Sequence, residues 1–203
     1  MEALLETVTG RRPASPEDAL ERASAIGKHF GEIVEPLLSM TVSPTMITAS
    51  RKRNVIPALC DVTVDCRLLP GMPPAEALEI VREVLGRGDY ELEVMEAHGG
   101  TRSPIDTPLW AAVSEWVEHV DPGTKAAPIC VAGFTDSHWF REAFGAVAYG
   151  FFPSRAMSSE VAARLIHSAD ERVPVEDLEL GVSFLRHVAR TIGASLRNSI
   201  LSR

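Results

Sequence analysis

Between Ala58 and Leu68 the sequence ALCDVTVDCRL alternates without a break: Ala58, Cys60, Val62, Val64, Cys66 and Leu68 fall on one side, and Asp61, Thr63, Asp65 and Arg67 on the other. A period of two is the signature of a strand with one wet and one covered face, so this run predicts a half-buried strand. The flanking grammar agrees with it. TMITAS (45–50) is short and rich in β-formers, LPGMPP makes a turn, and AEALEIVREVLG sets Leu78, Val81, Val84 and Leu85 on one helical face before Gly86 ends it. YELEVMEA (90–97) alternates again. Upstream, EALLETV and PEDALERASAIGKHFGEIV read as helices split by GRRPAS, with Ser15-Pro16-Glu17-Asp18 as a helix start. Helix, strand, strand, helix, strand is an α+β order, with an antiparallel sheet carrying helices on one face.

GGTRSPID (99–106) is dense in breakers and reads as a crossing between lobes, and the pattern changes after it. Thr107-Pro108 opens a helix whose Leu109, Val113, Trp116, Val117 and Val120 share a face. Buried-type strands are expected at PICVA (128–132) and VAYGFF (147–152), separated by the loop GFTDS and a short helix. The last helix is expected from about Glu176 to Ile192, with Leu178, Val182, Leu185, Ala189 and Ile192 on its packed face and Gly193 as its stop. Strands alternating with helices predict a parallel α/β sheet in this half.

A formal charge of −8, with scattered basic residues, excludes a nucleic-acid footprint. Cys60, Cys66 and Cys130 form no CxxC pair and read as small core residues in a reducing compartment. No basic-then-apolar leader and no membrane-length apolar run occurs, which predicts a soluble, cytoplasmic protein with no membrane partner.

The chain has no GxSxG, P-loop, GxGxxG, HExxH or Glu-Glu sequence. His119-Val-Asp121 has metal-ligand spacing but ends a helix before Pro122-Gly123, and reads as a solvated terminus. His29, His98, His138 and His187 read as surface or packing residues. Three places can carry chemistry. The loop Gly133–Ser137 joins a strand to a helix, where backbone N–H groups and Thr135 can meet a ligand, or where Thr135, Asp136 or Ser137 can simply cap the helix. Asn54 and Arg67 can grip a carboxylate through an amide and a guanidinium fork, or can be a turn residue and a surface ion pair with Asp65 or Asp61. His167 can be a packing residue, a helix-entry contact or a metal ligand.

Four stretches then stand in a recognisable order: Asn54-Val-Ile-Pro57 leading to Val64-Asp-Cys-Arg67-Leu-Leu-Pro70-Gly71, Gly133-Phe-Thr-Asp136-Ser-His-Trp-Phe140, Tyr149-Gly-Phe-Phe152, and His167-Ser-Ala-Asp-Glu-Arg-Val173. Together they resemble the two-zinc metallopeptidases: the aminoacylases, dipeptidases, glutamate carboxypeptidases and acetylornithine deacetylase/succinyl-diaminopimelate desuccinylases. The resemblance spans about residues 15–193. It implies a lid or dimerisation domain over 1–97, incomplete at its N-terminus, and the C-terminal part of an α/β zinc-exopeptidase catalytic domain over 103–203. It further implies a homodimer formed through the lid, and a small peptide or N-acyl amino acid as substrate.

By the same resemblance His167 is a ligand of one zinc, Asn54 and Arg67 are lid residues holding a substrate carboxylate or amide oxygen, and Thr135 lies beside that substrate. Asn54 and Arg67 are 13 positions apart and of opposite parity, so they converge only if the backbone breaks phase near Pro57. The family's early HxD, bridging aspartate, Glu-Glu general-base pair and further carboxylate have no counterpart in these residues. One imidazole cannot assemble a two-metal site, so the resemblance implies no hydrolysis by this chain alone, with its zinc position empty or weakly occupied. The alternative is a non-catalytic dimerisation or binding module derived from the same family.

Overall fold

The computed structural model describes residues 1–201. Its first helices begin and end where backbone chemistry requires. α1 (Glu2–Thr9) stops at Gly10, whose φ of 75° is left-handed and whose N–H closes on the Glu6 carbonyl. α2 (Pro16–Ile26) starts on Ser15, whose hydroxyl accepts from the Asp18 N–H while Pro16 fills the first helical position. α3 (Lys28–Val34) runs on into a 3-10 turn over Glu35–Leu37. These helices bury Leu4, Leu5, Ala19, Ala23 and Val34 against one another, which forms a first small core.

β1 (Thr41–Thr48) pairs antiparallel with β2 (Asp61–Arg67), from Thr41 opposite Arg67 to Thr48 opposite Asp61. The register shifts between Pro44 and Met46, where Pro44 has no N–H to give the ladder. Val42, Pro44 and Ile47 therefore line up with Cys66, Val64 and Val62 on one face, and that face is bare: Ile47 is 71% exposed and Val62 51%. The strand forms where its alternation predicts, but it is not half-buried, and no helix layer covers the sheet. The physical reason lies in the helices, since α1 to α3 satisfy their apolar residues among themselves, and α4 (Pro74–Leu85) buries only Ala77. Cys60 and Cys66 are consequently exposed rather than small core residues.

Among the described residues β1 and β2 are the only ladder, so the strands expected at 90–97, 128–132 and 147–152 and the parallel sheet they predict do not form. A strand needs a partner's row of N–H and C=O groups, and VAYGFF instead docks through its rings. Phe151 meets Phe184 with centroids 5.0 Å apart, and the Phe152 ring lies on the backbone of Gly181, where any side chain would collide with it.

α5 (Pro108–Val120) is capped by the Thr107 hydroxyl, which accepts from the Trp110 N–H at 3.1 Å. α6 (Ser137–Phe144) and α7 (Ser159–Leu165) are short, and α8 (Val175–Leu201) is long. α5 and α8 enclose the second core of Val113, Trp116 and Phe184, edge-to-face with 5.2 Å between the Trp116 and Phe184 rings. The packed face of α8 carries Asp177, Gly181 and Phe184, whereas Leu178, Val182 and Leu185, expected inside, are 49–58% exposed. The observed rotation seats Phe184 edge-to-face between Trp116 and Phe151, a large apolar side chain with specific ring contacts. Nor does Gly193 stop α8, since it stays out of the left-handed region that a C-cap glycine adopts.

The whole chain exposes 15258 Å², against roughly 9,300 Å² for a compact monomer of its 22.0 kDa mass. Apolar side chains left exposed include Ile56, Met46, Val131, Phe140 and Phe144.

Candidate functional site

Three of the four motif stretches converge on the crossing at residues 98–104. Gly100 bridges Pro70, and the Gly71 N–H donates to the Gly100 carbonyl at 3.3 Å, which ties the turn after Arg67 to the crossing. Gly100 has no room for a side chain, because a Cβ there would stand 2.9 Å from the Pro70 Cα. Arg141 of α6 then clamps the crossing from the other side. Its Nη1 donates to Thr101 Oγ1 at 3.1 Å, its Nε to Ser103 Oγ at 3.0 Å, and its Nη2 to the Ala148 carbonyl at 2.8 Å. The Tyr149 hydroxyl completes the seam by donating to the Pro104 carbonyl.

His138 lies inside this junction, 8% exposed, with the Phe134 ring at 4.9 Å, the Trp139 ring at 4.8 Å and the His98 ring at 5.8 Å. Its Nδ1 is 3.5 Å from Thr101 Oγ1. Thr135 is exposed at the turn into α6, where its carbonyl accepts from the His138 N–H at 3.0 Å. No side chain caps α6, so neither Thr135 nor Asp136 nor Ser137 is held by a helix-capping bond.

Asn54 and Arg67 are not brought together. Asn54 lies in the exposed turn between β1 and β2, and Arg67 ends β2 six residues beyond Asp61, roughly 20 Å along the strand at about 3.3 Å per residue. Arg67 Nε donates to Asp65 Oδ2 at 2.7 Å in a half-exposed pair. Its two terminal nitrogens make no hydrogen bond among the described residues, and they leave a bidentate edge open.

His167 is exposed and has φ 62°, the one positive φ among the described non-glycine residues. Histidine tolerates this region better than most residues, but the conformation still needs support. Glu171 supplies some, since its Oε2 accepts from the His167 N–H at 3.0 Å. No group of three or more His, Cys, Asp or Glu residues stands together to hold a metal among the described residues. His167 can therefore offer one imidazole to a metal, and these residues do not complete a site by themselves.

Sequence reasoning missed Asp177. Its carboxylate is 1% exposed and accepts from Ser154 Oγ and from the N–H groups of Arg155, Ala156 and Met157 at 2.7–3.2 Å. The N–H groups of Arg155 and Ala156 above all hold its pKa down, from an ordinary 3.8 to about 2, against the opposing effect of burial. Only the placement of Ser-Arg-Ala-Met opposite the first turn of α8 reveals this, and no local pattern carries it. The Arg141 clamp escaped for the same reason, because its partners lie 7 to 40 positions away.

Residues 10–93 match the peptidase dimerisation domain, a family that bears the label M20. Among curated proteins, the chain is 26% identical over 157 residues to the N-fatty-acyl-amino acid synthase/hydrolase PM20D1 of Homo sapiens, a match covering 75% of this chain and 31% of that protein. The PM20D1 of Xenopus tropicalis is 31% identical over 150 residues, 73% of this chain and 29% of its own length. Acetylornithine deacetylase of Myxococcus xanthus is 31% identical over 141 residues, 68% of this chain and 34% of its own. The chain thus spans roughly a third of the length of these relatives. No solved structure matches it. No helix among the described residues is long and apolar enough to cross a membrane.

Proposed function

The chain belongs to the M20 metallopeptidase family, and from that premise we propose that its residues supply the dimerisation lid and one zinc ligand of a cytoplasmic amidohydrolase. Residues 1–97 are the lid, and 103–203 are the C-terminal part of the catalytic domain. The substrate is a small peptide or N-acyl amino acid whose scissile amide lies near a carboxylate, the class to which N-fatty-acyl-amino acids and acetylornithine, named for the relatives, both belong.

The observation that carries this reading is the position of the family match. It covers the ribbon whose Val42, Ile47, Val62 and Val64 are 40–71% exposed, as a surface built to be covered leaves them. In the whole enzyme His167 offers its imidazole to zinc, and zinc when bound polarises the amide carbonyl and activates water. Arg67 grips the substrate carboxylate with its free guanidinium edge, Asn54 holds a substrate oxygen from the turn, and Thr135 borders the same substrate. Since Asn54 and Arg67 sit at opposite ends of the ribbon, they serve one substrate only across a dimer or after the lid moves. These residues alone hydrolyse nothing, because the rest of the ligand set and the general base lie outside them.

Two measurements test the reading. Sedimentation of the 203-residue chain should give a dimer, and a monomer at the highest soluble concentration sinks the lid assignment. A longer, zinc-loaded polypeptide carrying this chain should hydrolyse N-acyl amino acids or dipeptides, and should lose activity and zinc on His167→Ala. The lone imidazole of His167 favours a second reading, a non-catalytic dimerisation module. That module would unfold cooperatively with a midpoint that a chelator does not move, and would show no hydrolysis in any longer form.

A further inference from the structure

Residues 158–176 leave the α5–α8 pair and return to it, and they carry α7, the strained His167 and the Glu171 contact on the way. Both ends of the excursion meet at one carboxylate. Ser154 Oγ donates to Asp177 Oδ2 at 2.8 Å, the Arg155 and Ala156 N–H groups donate to Oδ1 at 2.7 and 2.9 Å, and the Met157 N–H donates to Oδ2 at 3.2 Å. Arg155 adds a second fastening to α5, through Asp121 at 3.2 Å and the Val120 carbonyl at 3.2 Å. Beyond this base little holds the excursion: no residue of α7 is buried, and Val161, Ile166, Val173 and Val175 are 43–67% exposed. The placement of His167 therefore depends on how the base of the excursion is closed.

We infer that Asp177 is a positioning residue, a buried latch that closes the 154–177 excursion and so fixes where His167 stands on the α5–α8 pair. The consequence for chemistry rests on reading His167 as a site residue; the latch itself does not. Converging backbone N–H groups cannot reverse their polarity, so an asparagine amide in place of the carboxylate turns an NH2 toward donors and opens the base. Removing the Ser154 hydroxyl takes away one bond of the four and loosens the base less.

Hydrogen exchange on the full 203-residue chain, with Asp177→Asn and Ser154→Ala, tests this. In Asp177→Asn the amides of 158–171 should exchange at least about tenfold faster, while α5 keeps its protection, as for a local opening below the global one. The His167 imidazole should lose its folded-state NMR shift and move toward that of a free histidine, a change that general loss of stability with α5 still protected would not produce. Ser154→Ala should shift both readings in the same direction but less. The latch is overturned if 158–171 exchange unchanged, or if α5 opens in parallel. Should Asp177→Asn fail to fold, Ser154→Ala decides, and unaltered exchange and an unaltered imidazole shift there refute the proposal. The zinc-ligand reading fails separately, by undiminished hydrolysis in the zinc-loaded His167→Ala polypeptide.

Discussion

The β1–β2 ribbon and the α5–α8 pair each bring a strong apolar pattern, yet only one of them encloses it. On the ribbon, Val62 and Val64 alternate cleanly and remain 51% and 40% exposed. On the helix pair, Trp116 and Phe184, with no such regularity around Phe184, are 4% and 5% exposed. Backbone pairing makes the ribbon whatever its faces meet, whereas the helix pair exists through its side chains. A pattern predicts an element; it does not supply the layer that covers it.

The largest expected effect breaks that contrast at its buried end. Trp116→Ala removes the centre of the second core, next to Phe151 and Phe184, and should cost about 3–5 kcal/mol in denaturant unfolding. Ile47→Ala, on a residue 71% exposed, should cost less than about 0.5 kcal/mol in dilute protein. If the bare face is the dimer contact, Ile47→Ala instead weakens self-association, which sedimentation reads directly. Equal costs for the two variants in dilute protein would abolish the distinction between the regions.

Next comes the joint between them. Gly100→Ala sets a Cβ 2.9 Å from the Pro70 Cα and 3.0 Å from the Leu69 carbonyl oxygen, and backbone on both sides has to move. A loss of about 1–3 kcal/mol is expected, the range of an overpacked contact, and an unchanged midpoint would show the two regions to be joined loosely.

Asp177 should give the helix pair a share of the acid limb of stability. Asp177 is held at about 2 against an ordinary 3.8, so its contribution is fully present above about pH 4, falls as the pH drops and is gone below about 2. Urea midpoints measured across that window should slope downward in the wild type and less so in Asp177→Asn. Identical slopes would mean that Asp177 is not the group titrating there.

How much of this was legible in the sequence follows from the same contrast. Caps and stops with local causes were readable: Ser15, Thr107 and Gly86 act where their types predict, and helix, strand, strand, helix stands in the first half without the strand expected at 90–97 or the helix layer over the sheet. Gly193 misled, because a glycine caps only when its φ turns positive, and the residues after it continue the helix. The face of α8 misled too, since a helical wheel weighs Leu178, Val182 and Leu185 without knowing that Trp116 and Phe151 wait for Phe184. Of the proposed site, Arg67 and His167 could be singled out by residue type and company. Asp177 and Arg141 could not, because their meaning lies in partners that only the fold brings near.

The smallest effect on stability gives the sharpest test of the ribbon's purpose. The Arg67–Asp65 pair is half-exposed, so Asp65→Ala should change unfolding by less than about 1 kcal/mol. Its effect on function runs the other way. As it stands, Asp65 occupies Nε and competes for the guanidinium that would grip a substrate carboxylate. In the zinc-loaded polypeptide Asp65→Ala should therefore lower KM or leave it unchanged, while Arg67→Ala raises KM or depresses kcat strongly. Arg67→Lys should fail to restore it, since a single ammonium cannot form the bidentate fork. If Arg67→Ala keeps wild-type kinetics, the ion pair is all that Arg67 does, and the bare ribbon is a contact surface with no part in holding substrate.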